Sequence, residues 1–363
     1  MKLLLVAPEV CSPWTEGRRN LVRDLVEDAP SDYDIRLLTT THDDGATLPD
    51  GAMRASTVRF PAAGLVSLAR NLAGELGSMQ PDIVIHFPYG TFRGIRGIAN
   101  RVIVRSIARR CERRGIPCVT ALYSLDAAPG GWGFFDDVPG RVVAGAGGVW
   151  NGKTVEYGLS TRGWPEVGTR DLASRSLLYL AGMWQPNQKR FDHIINLRGL
   201  GVLLQAGRQI EAAGATLTVA APIFDSPEWV QRLHDHPANT WSSDALHVKG
   251  RVDDIPGVLL DHSLLVFSYQ DDIPVFRPTS VMEAMALGTV PLLSDLPFLR
   301  ASFGEAAAPA WFKHNDPSAL AAAVTDAFGD LDALHKRSRA AQAYAKERWS
   351  IAATLAGLVE AAR

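Results

Sequence analysis

The sequence predicts two successive doubly wound α/β domains, each built on a parallel sheet, and three observations carry that expectation. Short apolar runs alternate with helical stretches along the whole chain, the pattern of repeated βα units. At 363 residues the chain is too long for one ordinary core and suits two. Between Trp150 and Ser174 the alternation loosens, with Gly158, Gly163, Pro165 and Gly168 in quick succession, the composition of a linker. The expected domains are therefore 1–170 and 171–350.

In the first domain, Leu3 to Ala7 reads as a buried parallel strand and Pro8 to Gly17 as the loop at its carboxyl end. Asn20 to Glu27 follows as a helix with Leu21, Val22 and Leu25 inward. Ile35 to Thr39 is a second strand, Leu65 to Leu76 a helix, and Asp82 to Phe87 a strand. Ile95 to Arg114 is a long arginine-rich helix, and Pro117 to Leu122 a further strand. The second domain opens with the strand Ser176–Leu180 and its continuation Ala181-Gly182. It goes on through strands at Leu217–Pro222, Leu246–Gly250, Leu264–Ser268 and Thr289–Ser294, with helical stretches between them. From Pro317 to Arg363 the chain is alanine-rich and amphipathic. In such sheets the site lies at the carboxyl ends of the strands.

Composition narrows the function classes. Hydrophobic residues at 47% and charged residues at 21% describe a globular chain rather than a disordered one. A formal net charge of -2 lacks the basic surplus of a dedicated nucleic-acid binder. The 3 cysteines, Cys11, Cys111 and Cys118, make no C-x-x-C pair and suit a reducing cytoplasm. The apolar run near the N-terminus, Leu3 to Ala7, is too short for a signal peptide or a membrane span.

The chemistry concentrates in Phe276-Arg-Pro-Thr-Ser-Val-Met-Glu-Ala-Met-Ala-Leu-Gly288 and the apolar run after it, Thr289 to Asp295. Pro278 ends the extended chain before it. Ser280 has Glu283 three residues on, the spacing of a capping box, and Gly288 supplies a left-handed stop. A loop, a helix start with bare N–H groups and a buried strand together make an anion site. Mutual capping alone would also explain Ser280 and Glu283. Glu-Ala-Met-Ala-x-Gly followed by an apolar strand ending in Ser-Asp resembles the nucleotide-sugar signature of the family 4 retaining glycosyltransferases. The resemblance extends over nearly the whole chain. It implies the GT-B fold, two Rossmann-like domains facing a central cleft, with a last helix from about 351 to 363 packing back on the first domain. It places Glu283 at the donor ribose, and the Thr279 and Ser280 amides at the diphosphate.

Other motifs of the second domain fit the resemblance unevenly. Arg198-Gly-Leu-Gly-Val-Leu-Leu-Gln-Ala206 is similar to the helix start that carries the diphosphate-binding lysine, with Arg198 in its place and Lys189 as substitute. Tyr179-Leu-Ala-Gly182 matches the strand that in the family ends Gly-Arg; here Met183 stands at the arginine. Gly250, Arg251 and Val252 match the turn whose backbone meets the nucleobase. The sugar-site glutamate is replaced by Val275, which leaves Asp272, or Asp271, as the nearest carboxylate.

In the first domain the resemblance implies a glycine near the diphosphate or acceptor, which Gly17 supplies. His86 ends a strand and is expected to face the cleft. Tyr123 aligns with the family's histidine after its Val-Thr-x strand; it can donate a hydrogen bond but is no cation near neutral pH. Trp132, in the glycine-flanked aromatic loop Gly130 to Asp136, is a candidate sugar-stacking residue. The stretch 92–115 carries eight arginines among apolar positions, so it reads either as a core helix with a basic outer face or as a membrane-surface helix. Asp32-Tyr-Asp34 and Asp330-Leu-Asp332 lack the placement of a metal site, and no metal or other cofactor is expected.

The function expected is transfer of a sugar from a UDP- or GDP-type donor to an acceptor hydroxyl on a glycan, lipid or small molecule, with retention and without metal. Catalysis is assigned to Arg198 or Lys189 at the leaving diphosphate, with His86 and Tyr123 on the acceptor side. The expected location is the cytoplasm, with helix 92–115 offering contact with the inner face of a membrane. Two alternatives stay open: a non-catalytic relative that binds nucleotide or a partner subunit, favoured by Met183, Val275 and Tyr123, and a nucleotide-sugar isomerase or epimerase on the same fold.

Overall fold

The computed structural model describes residues 1–12, 17–41, 45–50, 52–57, 61–88, 94–123, 138–145, 153–168, 170–182, 186–271, 278–304, 306 and 308–363. The chain forms two compact units. One takes in Met1–Arg162 and Arg348–Arg363, the other Gly163–Ile273 and Arg277–Glu347.

The first unit runs β1 (Lys2–Val6), α1 (Gly17–Glu27), β2 (Asp34–Thr41), β3 (Ala52–Thr57), α2 (Pro61–Ser78) and β4 (Ile83–His86). It continues with α3 (Gly94–Glu112), β5 (Cys118–Leu122), β6 (Arg141–Gly145) and β7 (Lys153–Val155). Its strands pair in parallel in the order β3-β2-β1-β4-β5-β6-β7. The two-residue period of β1 divides the core. Leu3 and Leu5 pack on one face with Leu21, Val22 and Leu25 of α1 and with Leu355 and Leu358 of the C-terminal helix Ile351–Ala362. Leu4 and Val6 pack on the other with Leu68 and Leu72 of α2 and Ile103 and Ile107 of α3. Polar bonds also hold the C-terminal helix to this unit. The Thr354 hydroxyl accepts from the Gly158 amide at 2.7 Å and donates to the Glu156 carbonyl at 3.0 Å.

The second unit runs β8 (Ser176–Leu180), α4 (Gln188–Asp192), a π-helical turn His193–Leu197, α5 (Leu200–Gln205), α6 (Gly207–Ala212) and β9 (Thr216–Ala220). After a 3₁₀ turn Pro222–Asp225 come α7 (Pro227–His234), β10 (Leu246–Lys249), α8 (Ile255–Leu260), β11 (Leu264–Phe267) and α9 (Thr279–Ala286). It closes with β12 (Val290–Ser294), α10 (Pro297–Phe303), β13 (Ala310–Phe312), α11 (Pro317–Gly329) and α12 (Leu331–Arg348). The parallel order is β10-β9-β8-β11-β12-β13. At the amino edge Arg170 is buried and donates to the carbonyls of Leu260, His262 and Leu287 at 2.6, 2.9 and 3.2 Å. One guanidinium thus satisfies carbonyls left over at the ends of α8 and α9.

Both sheets are doubly wound, and in each the strand order reverses once: between β1 and β4 in the first unit, and between β8 and β11 in the second. The carboxyl ends of those four strands are where a doubly wound fold binds ligands. The sequence pattern does not predict β3, β6, β7 or β13. Three of these are edge strands, two of them only three residues long, and their pairing comes from the neighbouring strand rather than from a run of β-formers.

Candidate active site

In the second unit, β8 and β11 bring Arg198 to the switch point. The residue follows the π turn, in which the Arg198 amide bonds the His193 carbonyl at 3.0 Å, five residues back. Its own carbonyl accepts from the Tyr179 hydroxyl on β8 at 3.2 Å and from the Ser268 hydroxyl just past β11 at 3.4 Å. The backbone of Arg198 is therefore tied to both strands that flank the crossover. Gly199 makes this possible. Its φ is +72°, and a Cβ there would strike the Ser268 carbonyl. The guanidinium carbon lies 5.5 Å from the centroid of Tyr269, and Nε is buried without a hydrogen-bond partner among the described residues. Its charge spreads to its neighbours. His193 is held below the ordinary imidazole range by burial first and then by Arg198 and Arg190. Burial pushes the Tyr269 phenol up, and Arg198 opposes that rise.

Helix α9 starts on the same sheet edge, since it follows the carboxyl end of β11. Its N-cap is Pro278, with no side-chain cap bond, so Thr279 and Ser280 are the first two helical residues. The expected capping box between Ser280 and Glu283 is not formed: Ser280 lies inside the first turn, where its hydroxyl cannot serve as the cap. The amides of Val281 and Met282 bond Pro278, which leaves those of Thr279 and Ser280 outside the helix's own ladder. Glu283 is half-buried one turn on. The helix ends as its glycine predicts. The Thr289 amide bonds Ala284 at 2.9 Å, the Gly288 amide bonds Met285 at 3.1 Å, and Gly288 has φ +75°.

The turn Gly250-Arg251-Val252 leaves β10 at that edge. Asp225, at the end of β9's 3₁₀ turn, accepts from the Arg251 amide at 2.7 Å, and a Cβ on Gly250 would run into its carboxylate. Arg251 pairs with Asp253 at 2.7 Å. Gly182, just beyond β8, is exposed, as is Lys189 on α4. Arg198, Thr279, Ser280, Glu283, Gly182 and the Gly250–Val252 turn thus share the carboxyl edge of one sheet. Met183, Asp272 and Val275 lie outside the described residues.

In the first unit the switch point carries His86, the last residue of β4, paired with Val6 of β1. Its side chain is 1% exposed, and neither ring nitrogen has a hydrogen-bond partner among the described residues. Burial first, and then the charge of Arg18, lower its pKa to about 3, so the ring is neutral across the physiological range. Arg18, buried in the first turn of α1, donates to the Pro8 carbonyl at 3.0 Å. Beside it Arg19 pairs with Glu9 at 3.1 Å. Glu9 stands at φ 57°, its amide bonded to the Thr40 hydroxyl at 3.1 Å. Gly17 is the first residue of α1 rather than part of a loop, because Arg18 and Arg19 fasten the helix start to the end of β1. Tyr123, one residue past β5, stacks on Tyr157 with ring centroids 6.2 Å apart. Glu16 and Trp132 lie outside the described residues.

The sequence reading missed Arg18, Glu9, Tyr179, Ser268 and Asp225. Glu9, Tyr179, Ser268 and Asp225 sit within a few residues of a strand's carboxyl end, so position relative to the strands was the available signal, whereas Arg18 lies in the first turn of α1. Among the described residues no group of three His, Cys, Asp or Glu could hold a metal ion.

Residues 175–330 match the family model described as glycosyl transferases group 1. The enzyme class is glycosyltransferase. Solved structures extend the likeness of fold to the whole chain, and that two-unit α/β fold is GT-B. A glycosyltransferase from Rickettsia africae ESF-5 superposes with a TM-score of 0.70 at 12% identity, over 99% of this chain and 97% of that one. Anabaena Alr3699/HepE in complex with UDP gives 0.67 at 12% identity, over 99% and 98%. Sucrose-phosphate synthase from Thermosynechococcus elongatus gives 0.67 at 13% identity, over 99% and 97%. No curated protein sequence matches the chain.

Proposed function

We propose that this glycosyltransferase moves a sugar from a nucleotide-diphosphate sugar to an acceptor hydroxyl, with retention and without a metal. The observation that carries this reading is Arg198, a cation tied by its backbone to both strands of the switch point, on the sheet edge where α9 begins. A diphosphate leaving group needs that combination of fixed positive charge and the positive end of a helix. In this reading Arg198 and the Thr279 and Ser280 amides receive the diphosphate, with Lys189 as a second cation. Glu283 accepts from the ribose hydroxyls, and Gly250, Arg251 and Val252 meet the base. Gly182 and Asp272 lie toward the donor sugar. On the first unit Gly17 lies toward the donor diphosphate, and His86, Tyr123 and Trp132 receive the acceptor, a glycan, lipid or small molecule. The helix 92–115 gives contact with a membrane surface.

HepE has been solved with UDP and with UDP-glucose, which puts a uridine donor first among those to test. Thermal unfolding against UDP-, GDP- and TDP-sugars reads binding directly; a hundredfold excess over Kd adds about 2.7 kcal/mol to the folded state. One base series should raise the midpoint and release diphosphate slowly, with EDTA making no difference. Glu283→Ala should weaken that donor roughly tenfold or more, the loss of hydrogen bonds to a charged acceptor. Unchanged donor affinity in Glu283→Ala removes the ribose assignment. No shift with any nucleotide returns the protein to the non-catalytic alternative.

A further inference from the structure

We propose that Gln270 is a positioning residue for Arg198, held in that role by Asn315 from the turn after β13. The proposal rests on the reading of Arg198 as the cation that receives the diphosphate. Strand β11 ends at Phe267, so residues 268–270 have left the sheet and their backbone needs partners from elsewhere. Each of the three reaches the turn that carries Arg198. The Ser268 hydroxyl donates to the Gly199 carbonyl at 3.0 Å, and the Tyr269 ring stands beside the Arg198 guanidinium. The Gln270 amide donates to the Leu197 carbonyl at 3.0 Å.

The Gln270 side chain holds this segment in its turn. Its Nε2 donates to the Ser268 carbonyl, and its Oε1 accepts from the Asn315 amide at 2.7 Å. The Asn315 Nδ2 donates back to the Gln270 carbonyl at 3.5 Å. Asn315 stands at φ 56°, a conformation that asparagine tolerates better than most side chains. Against Gly199 the carboxamide lies so close that a Cβ there would meet both Nε2 and the Ser268 carbonyl. One side chain thus abuts the Arg198 turn, braces the segment packed on it and ties both to β13, the edge strand of the sheet. A carboxamide serving only its own turn has no need of a partner 45 residues on. Gln270 brings no charge of its own, so its effect on a diphosphate should pass wholly through Arg198.

Inorganic pyrophosphate, titrated by calorimetry in EDTA, probes this without knowledge of sugar or base. Its affinity is measured for the wild type, Arg198→Ala, Gln270→Leu and the double variant, with a melting curve for each. Arg198→Ala should weaken pyrophosphate roughly tenfold or more, and Gln270→Leu roughly fivefold. The double variant should bind as Arg198→Ala does and no more weakly, because without the cation nothing is left to position. The thermal midpoint should drop by the same amount, about 2–4 °C, when Gln270→Leu is added to either background, which is all that a structural role would produce. Should Gln270→Leu not fold, Asn315→Gly takes its place in the cycle. It keeps the left-handed backbone and loses the Nδ2 bond, and a roughly twofold loss that vanishes beside Arg198→Ala is expected. A loss that repeats in full beside Arg198→Ala, or no loss at all, overturns the proposal and leaves the Arg198 reading standing. Unchanged affinity in Arg198→Ala, or no binding of pyrophosphate by the wild type, overturns the Arg198 reading and the proposal with it.

Discussion

The two switch points are built on the same topology and held in opposite ways. At the second unit's, the backbone of Arg198 is framed by satisfied bonds, with hydroxyls from two strands on its carbonyl and a π turn beneath it, and an aromatic ring stands beside its charge. At the first unit's, His86 is shut into the structure with both nitrogens unpartnered among the described residues, and burial together with Arg18 keeps it neutral. A buried polar group without a partner costs about 1–3 kcal/mol. The first arrangement fixes a charge in place. The second keeps hydrogen-bonding capacity in reserve, which suits a group whose partner arrives with a ligand.

Substitutions that separate the two arrangements sharpen this contrast. The largest effect expected is that of Arg198→Ala, a fall in kcat of roughly 10²–10³-fold, the range seen when a charge-stabilising donor is removed. Its thermal midpoint should barely move, because the bonds of the frame go to backbone that the variant keeps. Steady-state kinetics beside a melting curve checks both halves.

His86→Phe should do the reverse on stability: transfer falls while the midpoint holds or rises, since two stranded nitrogens are gone. The pH dependence provides the sign. His86 has a folded-state pKa of about 3, below its unfolded value near 6.5, so the unfolded chain binds the extra proton between those values. Its contribution to stability is fully present above about pH 6.5 and is lost as pH falls toward 3, at about 1.4 kcal/mol per unit. Denaturant melts between pH 4 and 7 should show this slope in the wild type and a shallower one in His86→Phe. Equal slopes would place the titration elsewhere.

The smallest effect belongs to Ser268→Ala. It removes hydroxyl bonds to the Arg198 and Gly199 carbonyls and should cost about 1 kcal/mol of stability and a few-fold in kcat. A loss in kcat as large as that of Arg198→Ala would mean that the frame, rather than the charge, sets the rate.

Strands buried on both faces were legible as continuous apolar runs, as in Leu3–Ala7 and Leu264–Ser268. So was the stop at Gly288, because a positive φ leaves a specific residue type behind. The edge strands were not, since Ala310–Phe312 has no pattern of its own and exists by pairing with β12. The residues named for the donor were legible from local spacing, but their mutual placement was not. Ser280 and Glu283 read as a capping pair because their spacing fits one, whereas Pro278 takes the cap and moves both into the helix. His86 was visible as a strand-end histidine. Its neutrality was not, because it comes first from burial and then from Arg18, 68 positions earlier in the chain. Glu9 and Ser268 were marked only by their place just past a strand, since nothing in a glutamate or serine announces that its strand flanks a reversal of order.

The π turn His193–Leu197 acts as a length gauge. A π turn holds one more residue than an α turn over the same stretch, and the chain beyond it is rotated by that extra residue. Removing a single residue there would leave a more regular helix, with Arg198 swung about a quarter-turn away from the carboxyl edge. Arg198 thus owes its direction to a count. In this segment natural variation in length, more than variation in residue type, would separate chains that keep the cation in place from chains that have lost it.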